Sequence, residues 1–325
     1  MTARIFWTLP AAGDGRHGTL TRGDLADAQP RSFARAGFTD DRGRRFGYHD
    51  YLFQAARAAE ASGFDGALIP WDASGEDPWI VASALARHTR RLLLLPEVEV
   101  AFATPVYLSK MSVSFQRLSG NRLAWKLDLG RAADVRRAHG DFLEGADWFG
   151  RAEEFLTAAR GVFTTHPFTF RGRFYDVEAG GFEGPLSGRP VPRVYTSGDT
   201  EAAMGVAARH ADVHLLAAGH PVEVARELAR LDEAVATAKR DVERGLSLRV
   251  VARHTDAEAE RDAAGEGSEF ALVGSYSRVA DRLDEYLSLG LTHLVLDAAP
   301  RLEEAYRLGE HVLPRLRGRF LAATA

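Results

Sequence analysis

The feature that most constrains this chain is an alternation. Short, nearly all-apolar runs recur along its length, each followed by a longer stretch of helical periodicity. The runs begin at Ala3 (ARIFWTLP), Gly66 (GALIP), Arg91 (RLLLLPEVEV), Asn121 (NRLAWKLDLG), Pro192 (PRVYTSG), Asp212 (DVHLLA), Leu246 (LSLRVVAR) and Thr292 (THLVLDAAP). Near-continuous apolar character is expected of strands covered on both faces, and intervening helices let successive strands run parallel. One such helix reads YHDYLFQAARAAEAS from Tyr48, with Leu52, Ala55, Ala56 and Ala59 on one stripe and Gly63 as its stop. Eight units of this kind close a barrel more naturally than they extend an open sheet. The expectation is an α/β protein, one (β/α)8 TIM barrel domain over residues 1–325.

Three segments interrupt the rhythm. A long loop after the first strand, Asp14 to Gly47, is rich in Gly, Asp and Arg and reads either as a lid over the strand ends or as a surface excursion. Phe168 to Val177 (FTFRGRFYDV) alternates about Arg171-Gly172 and predicts a small hairpin insertion. Ala263 to Glu269 is a short Gly-rich linker. With 41 basic against 45 acidic residues the net charge is −4, which argues against nucleic acid or an anionic membrane as partner. The absence of cysteine excludes disulfides and thiolate metal sites, and the histidines have no acidic neighbours at ligand spacing, so no metal is expected. The N-terminus has no signal-peptide core and no apolar run reaches membrane-spanning length, so a cytoplasmic protein acting on a small molecule is expected.

Four stretches stand in order at barrel spacing: FWTLPAAGDG from Phe6, GFDGALIPWDASGEDPW from Gly63, RLSGNR from Arg117, and the C-terminal run Ala271 to Leu316. Together they resemble the bacterial luciferase-like flavin-dependent monooxygenases and are most similar to the alkanesulfonate monooxygenase branch. The resemblance implies a luciferase-like barrel with reduced FMN at its C-terminal mouth, supplied by a separate flavin reductase. It implies monooxygenase chemistry on a small organic substrate, with carbon–sulfur cleavage in the alkanesulfonate branch, and a homodimer or homotetramer. The cofactor carries that chemistry, while the protein supplies position and electrostatics.

YTSGDTEAAMG brings Tyr195 and Ser197 up to a corner made of Gly198, Asp199 and Thr200. Free N–H groups at a helix start favour an anion, and glycine allows close backbone approach. The resemblance puts the flavin phosphate at this corner; a plain helix N-cap is the other reading of the same residues. Trp7 and Trp71 end strands and read as walls for a flavin or as ordinary packing. Lys126 stands where the family has an asparagine facing the flavin ring, and Asp128, two residues on, shares its face. Glu97 and Glu99 likewise share a face of the third strand, and Arg249 takes the place of the branch's histidine. Inward-facing Glu99, Lys126 and Arg249 read either as an anion site for a sulfonate-like or carboxylate substrate or as a structural ion network. In either case burial requires the cations to be neutralised by Glu97, Glu99 or Asp128. His214 and His220 bracket the end of the sixth strand, each reading as an acid or base or as a hydrogen-bonded loop histidine. Arg249, Lys126 and His214 are therefore the catalytic candidates.

Several family positions are changed. Phe149, in Asp147-Trp148-Phe149, lacks the hydroxyl that the family offers to the phosphate. Gly75, Ala217 and Ala299 stand where the branch has cysteine, tryptophan and tyrosine. These changes keep a second function open, a flavin-poor or flavin-free relative serving as a non-catalytic partner subunit or binding protein.

Overall fold

The computed structural model describes residues 3–12, 48–73, 75–264 and 271–317. The 14–47 segment and most of the 263–269 linker lie outside the described residues. Along the chain the strands are β1 (Arg4–Thr8), β2 (Gly66–Ile69), β3 (Leu93–Pro96), β4 (Ala124–Asp128), β5 (Phe168–Arg171), β6 (Asp176–Gly180), β7 (Arg193–Ser197), β8 (Val213–Ala217), β9 (Glu243–Arg253), β10 (Leu272–Ser275) and β11 (His293–Asp297). The chain divides into two compact units, one of Met1–Leu92, Ala218–Pro221 and Gly245–Ala325, the other of Leu93–Ala217 and Val222–Arg244.

In the first unit β1 pairs in parallel with β2 on one side and β11 on the other, β11 pairs with β9, and β9 with β10. Trp7 stands opposite Ala67 and Leu296, and Arg249 opposite Asp297. The helix Tyr48–Ala61 buries Leu52, Ala55, Ala56 and Ala59, the stripe expected of it. Its Glu60 carboxylate accepts the N–H groups of Arg90, Arg91 and Leu92 at 2.8, 2.6 and 2.9 Å, which fixes the approach to the next strand. The helix Pro78–Ala86 is capped by Asp77, whose carboxylate accepts from Trp79 and Ile80.

In the second unit β4 pairs in parallel with β7, and β7 with β8. Single bridges, Leu94 to Leu123 and Glu97 to Lys126, tie the third strand segment to β4. The helix Pro105–Ser119 starts on a Thr104 cap and ends at Gly120, whose φ of 72° suits only a residue without Cβ strain. The Trp125 indole N–H donates to Ser112 Oγ of that helix at 2.9 Å, so Trp125 faces the helix layer and Lys126 points to the opposite face.

All eight strands expected from the apolar runs occur among the described residues. The hairpin is β5 with β6, antiparallel, and its second strand runs on to Gly180. β10 was not expected, because four residues following the linker are too few to show a period. No helix among the described residues is long and apolar enough to cross a membrane.

Candidate functional site

At the C-terminal end of β4 the second unit gathers five charged side chains. Lys126 Nζ lies 3.4 Å from Glu97 Oε2. Arg131, three residues beyond the strand, turns back and forks two acids, with NH2 on Glu97 and Nε on Glu99 Oε1 at 2.6 Å. Its NH2 is also 3.8 Å from Asp128. Asp128 is held in turn by the Gly130 N–H at 3.1 Å and the Ser197 hydroxyl at 3.0 Å. Lys126, Glu97, Glu99 and Arg131 are all at most 11% exposed at the side chain, so their neutralisation is a condition of folding. Glu97 is one of the three acids named as partners for a buried Lys126; Arg131 was not singled out, although Leu-Gly-Arg after a strand end is where a barrel places functional loops.

Burial pushes the Glu99 carboxyl up to about 6, with Glu97 and Asp128 adding to the rise and Arg131 opposing it. Burial acts in the same sense on Asp128, but Lys126, the Gly130 N–H, Arg131 and Ser197 outweigh it and hold that carboxyl below the usual range. Three carboxylates thus share two cations, and burial brings the Glu99 carboxyl up toward neutral pH.

The corner after β7 lies in the same unit. Gly198 has φ 131°, and a Cβ there would meet the Leu129 carbonyl carbon at 2.9 Å and the Gly130 nitrogen at 3.0 Å. Two glycine backbones therefore touch at the ends of β4 and β7. Thr200 caps the helix Glu201–His210 by accepting the Ala203 N–H at 3.1 Å. Gly198→Ala is expected to lower unfolding stability by about 1–3 kcal/mol, the usual range for a strained backbone position. Urea denaturation checks this, and a loss under about 0.5 kcal/mol would show that the turn tolerates a side chain.

Other candidates are placed as follows. Trp7 has no accessible surface; its indole N–H donates to the Arg301 carbonyl at 3.1 Å and its ring packs 5.2 Å from Phe64. Tyr195, opposite Lys126, is also fully buried. Trp71 is half-buried beyond β2, and Asp199 and His220 are exposed. Arg249 is half-buried on β9, opposite Asp297, whose carboxylate takes Arg301 at 2.8 Å. His214 is fully buried, its Nδ1 2.9 Å from Thr196 Oγ1. Thr196 alternates with Tyr195 and Ser197, so His214 shares the helix-side face with Trp125 rather than the face of Lys126.

The Asp147-Trp148-Phe149 segment serves another purpose here. Trp148 is buried, donates to Asp141 Oδ2 at 3.1 Å and carries the Arg136 guanidinium 4.6 Å from its ring centre. Arg151 closes on the same Asp141 through bonds of 3.0 and 2.6 Å. Burial raises the Asp141 carboxyl, but Arg151, the Leu143 N–H and Arg136 override it and leave it low. Phe149 packs edge-on against Trp148 at 4.8 Å.

FMN can be tested against the corner by its donors. The Thr200 oxygen is used as an acceptor, which leaves its O–H to donate outward. The first N–H groups of the helix, on Glu201 and Ala202, have no intrahelical acceptor. These donors fit a phosphate, while the exposed Asp199 carboxylate beside them opposes it.

The model of the luciferase-like monooxygenase family matches residues 32–268. This chain belongs to that family. Among solved structures it is similar to a riboflavin lyase with modified FMN and substrate riboflavin, at TM-score 0.80 and 16% identity, covering 98% of this chain and 92% of the other. It is also similar to the oxygenating constituent of 3,6-diketocamphane monooxygenase from the CAM plasmid of Pseudomonas putida, in complex with FMN. There the TM-score is 0.73 and the identity 16%, over 97% and 99% of the two chains. A third likeness is to the coenzyme F420-dependent tetrahydromethanopterin reductase of Methanopyrus kandleri, at TM-score 0.68 and 16% identity, over 82% and 96%. At these identities the likeness shows the fold, a luciferase-like (β/α)8 barrel.

Proposed function

We propose that this chain is an FMN-dependent monooxygenase of the two-component type, taking reduced FMN from a separate reductase and acting on a small organic substrate. The observation that carries the proposal is the corner itself, where the Gly198 turn and the Thr200 cap present a hydroxyl and helix-start N–H groups. Bound reduced FMN would supply the reducing equivalents and the activation of oxygen. The chain's own residues bind its phosphate at Gly198–Thr200, and Glu99 holds or releases a proton near neutral pH. An alkanesulfonate-like reaction needs a cation for the sulfonate. Lys126 and Arg249 are the candidates for that role.

A second reading, a flavin-poor or flavin-free partner subunit or binding protein, is supported by the charged cluster at the end of β4 and by Phe149 in place of a hydroxyl donor. Titration with oxidised and reduced FMN separates the two. The proposal expects binding that Thr200→Val weakens about tenfold and Thr200→Ser preserves, one charge-assisted hydrogen bond being worth that much. Phe149→Tyr is expected to tighten it. No binding of either redox form, even by Phe149→Tyr, would leave the flavin-free relative as the function.

A further inference from the structure

A serine hydroxyl carries one proton, so once that proton is committed, every further hydrogen bond the oxygen makes must be accepted. Ser197 is in that state. Its hydroxyl donates to Asp128 Oδ1 at 3.0 Å, and the same carboxylate oxygen accepts the Gly130 N–H at 3.1 Å. Against the pull of burial, Lys126, the Gly130 N–H, Arg131 and Ser197 hold the Asp128 carboxyl below its usual range. Asp128 is therefore ionised and can only accept, which fixes the direction of the Ser197 proton.

The sheet sets where this acceptor stands. Asp128 and Ser197 are register partners at the ends of β4 and β7, two residues beyond the partners Lys126 and Tyr195. All four share the face turned away from the helix layer, whereas Thr196, between Tyr195 and Ser197, turns its hydroxyl to His214. Ser197 is half-buried and the Asp128 side chain is 27% exposed, so both are open to a ligand. One residue on, the chain changes polarity. Gly198 opens the corner where the Thr200 hydroxyl and the helix-start N–H groups offer donors. Three carboxylates to two cations beside Ser197 disfavour an anion there and favour a neutral group that brings O–H donors. FMN has the same order of polarity: an anionic phosphate, then a ribityl chain carrying hydroxyls, then the ring.

We propose that Ser197, held as an acceptor by Asp128, receives a ribityl hydroxyl of the flavin, with Asp128 as the positioning residue for that bond. This inference rests on the FMN reading above. It adds to the phosphate corner a subsite for the polyol part of the cofactor.

The test uses three flavins, reduced and kept anaerobic: FMN, riboflavin, which lacks the phosphate, and lumiflavin, which lacks the ribityl chain as well. Dissociation constants are measured for the unmodified protein, Ser197→Ala, Ser197→Thr and Asp128→Ala, with thermal melts alongside. Ser197→Ala is expected to weaken FMN and riboflavin by the same factor, about tenfold, and to leave lumiflavin unchanged. Ser197→Thr, which keeps the hydroxyl, should retain the binding of all three. Asp128→Ala, which lets the Ser197 proton turn either way, should give the Ser197→Ala pattern at a smaller factor; unchanged riboflavin affinity in that variant overturns the positioning role. If Ser197→Ala does not fold, Ser197→Cys, which fills the site with a poor acceptor, carries the same expectation. A loss shared equally by lumiflavin marks a structural serine, and a loss confined to FMN marks a phosphate contact; either overturns the inference. If the unmodified protein binds none of the three, the FMN reading falls and takes the inference with it. If it binds FMN and Ser197→Ala leaves every affinity unchanged, only the inference falls.

Discussion

Arg131→Met is expected to destabilise the protein by about 3–5 kcal/mol at pH 7.5, the range for breaking a buried ion pair by removing one partner. Arg131 contacts Glu97, Glu99 and Asp128, and all but Asp128 lie almost wholly out of solvent. Burial works against the Arg131 charge, yet Glu97, Glu99 and Asp128 more than offset it and raise its proton affinity above that of a free guanidinium. Removing it leaves Lys126 as the one remaining cation among the five residues of this cluster. The loss should shrink at pH 5. The folded Glu99 carboxyl, at about 6, lies above its ordinary 4.5, so its share of stability is fully present below pH 4.5 and disappears as pH rises through 6. A neutral Glu99 no longer needs Arg131. Urea unfolding of the wild type, Arg131→Met and Arg131→Met with Glu99→Gln at both pH values reads this directly. The double variant should regain part of the loss at pH 7.5. A single-variant loss below about 1 kcal/mol at pH 7.5 would mean that water, rather than Arg131, compensates these acids.

What the sequence made legible in this protein was whatever depends on period. Strands covered on both faces have to be apolar throughout, so GALI, AWKLD and HLVLD stood out against the helices around them. Alternation likewise put Lys126 with Asp128, and Glu97 with Glu99, on shared faces. Arg131 was not legible for the complementary reason. It lies past the strand in Leu129-Gly130-Arg131, where no period states that a side chain folds back over the strand end. Trp7 shows the limit from the other side. Its place at a strand end was readable, but not that its ring lies buried against Phe64, with the indole N–H on Arg301, far along the chain. Trp148 is similar: the segment was recognisable, yet its use in binding Asp141 between Arg136 and Arg151 depends on where a long helix begins relative to the loop before it.

His214 should contribute a large part of the acid side of the stability curve. Burial lowers its pKa to about 4, with Lys126 adding to the effect and the Gly198 carbonyl offsetting part of it. In the unfolded chain the same group titrates near 6.5. The unfolded state therefore binds the proton more readily, and the sign is opposite to that of Glu99. His214's contribution is fully present above about pH 6.5 and is lost as pH falls toward 4, at 1.36 kcal/mol per pKa unit, or about 3 kcal/mol in all. His210, also depressed to about 4 mainly by burial, titrates over the same window and adds a slope of the same sign. Subtracting a His214→Gln curve from the wild-type curve removes the His210 and Glu99 contributions common to both. The difference between pH 7 and pH 4 should be about 3 kcal/mol, with wild type losing the more. Parallel curves would show that the folded protein protonates this ring as readily as the unfolded chain does, so that burial does not hold it neutral.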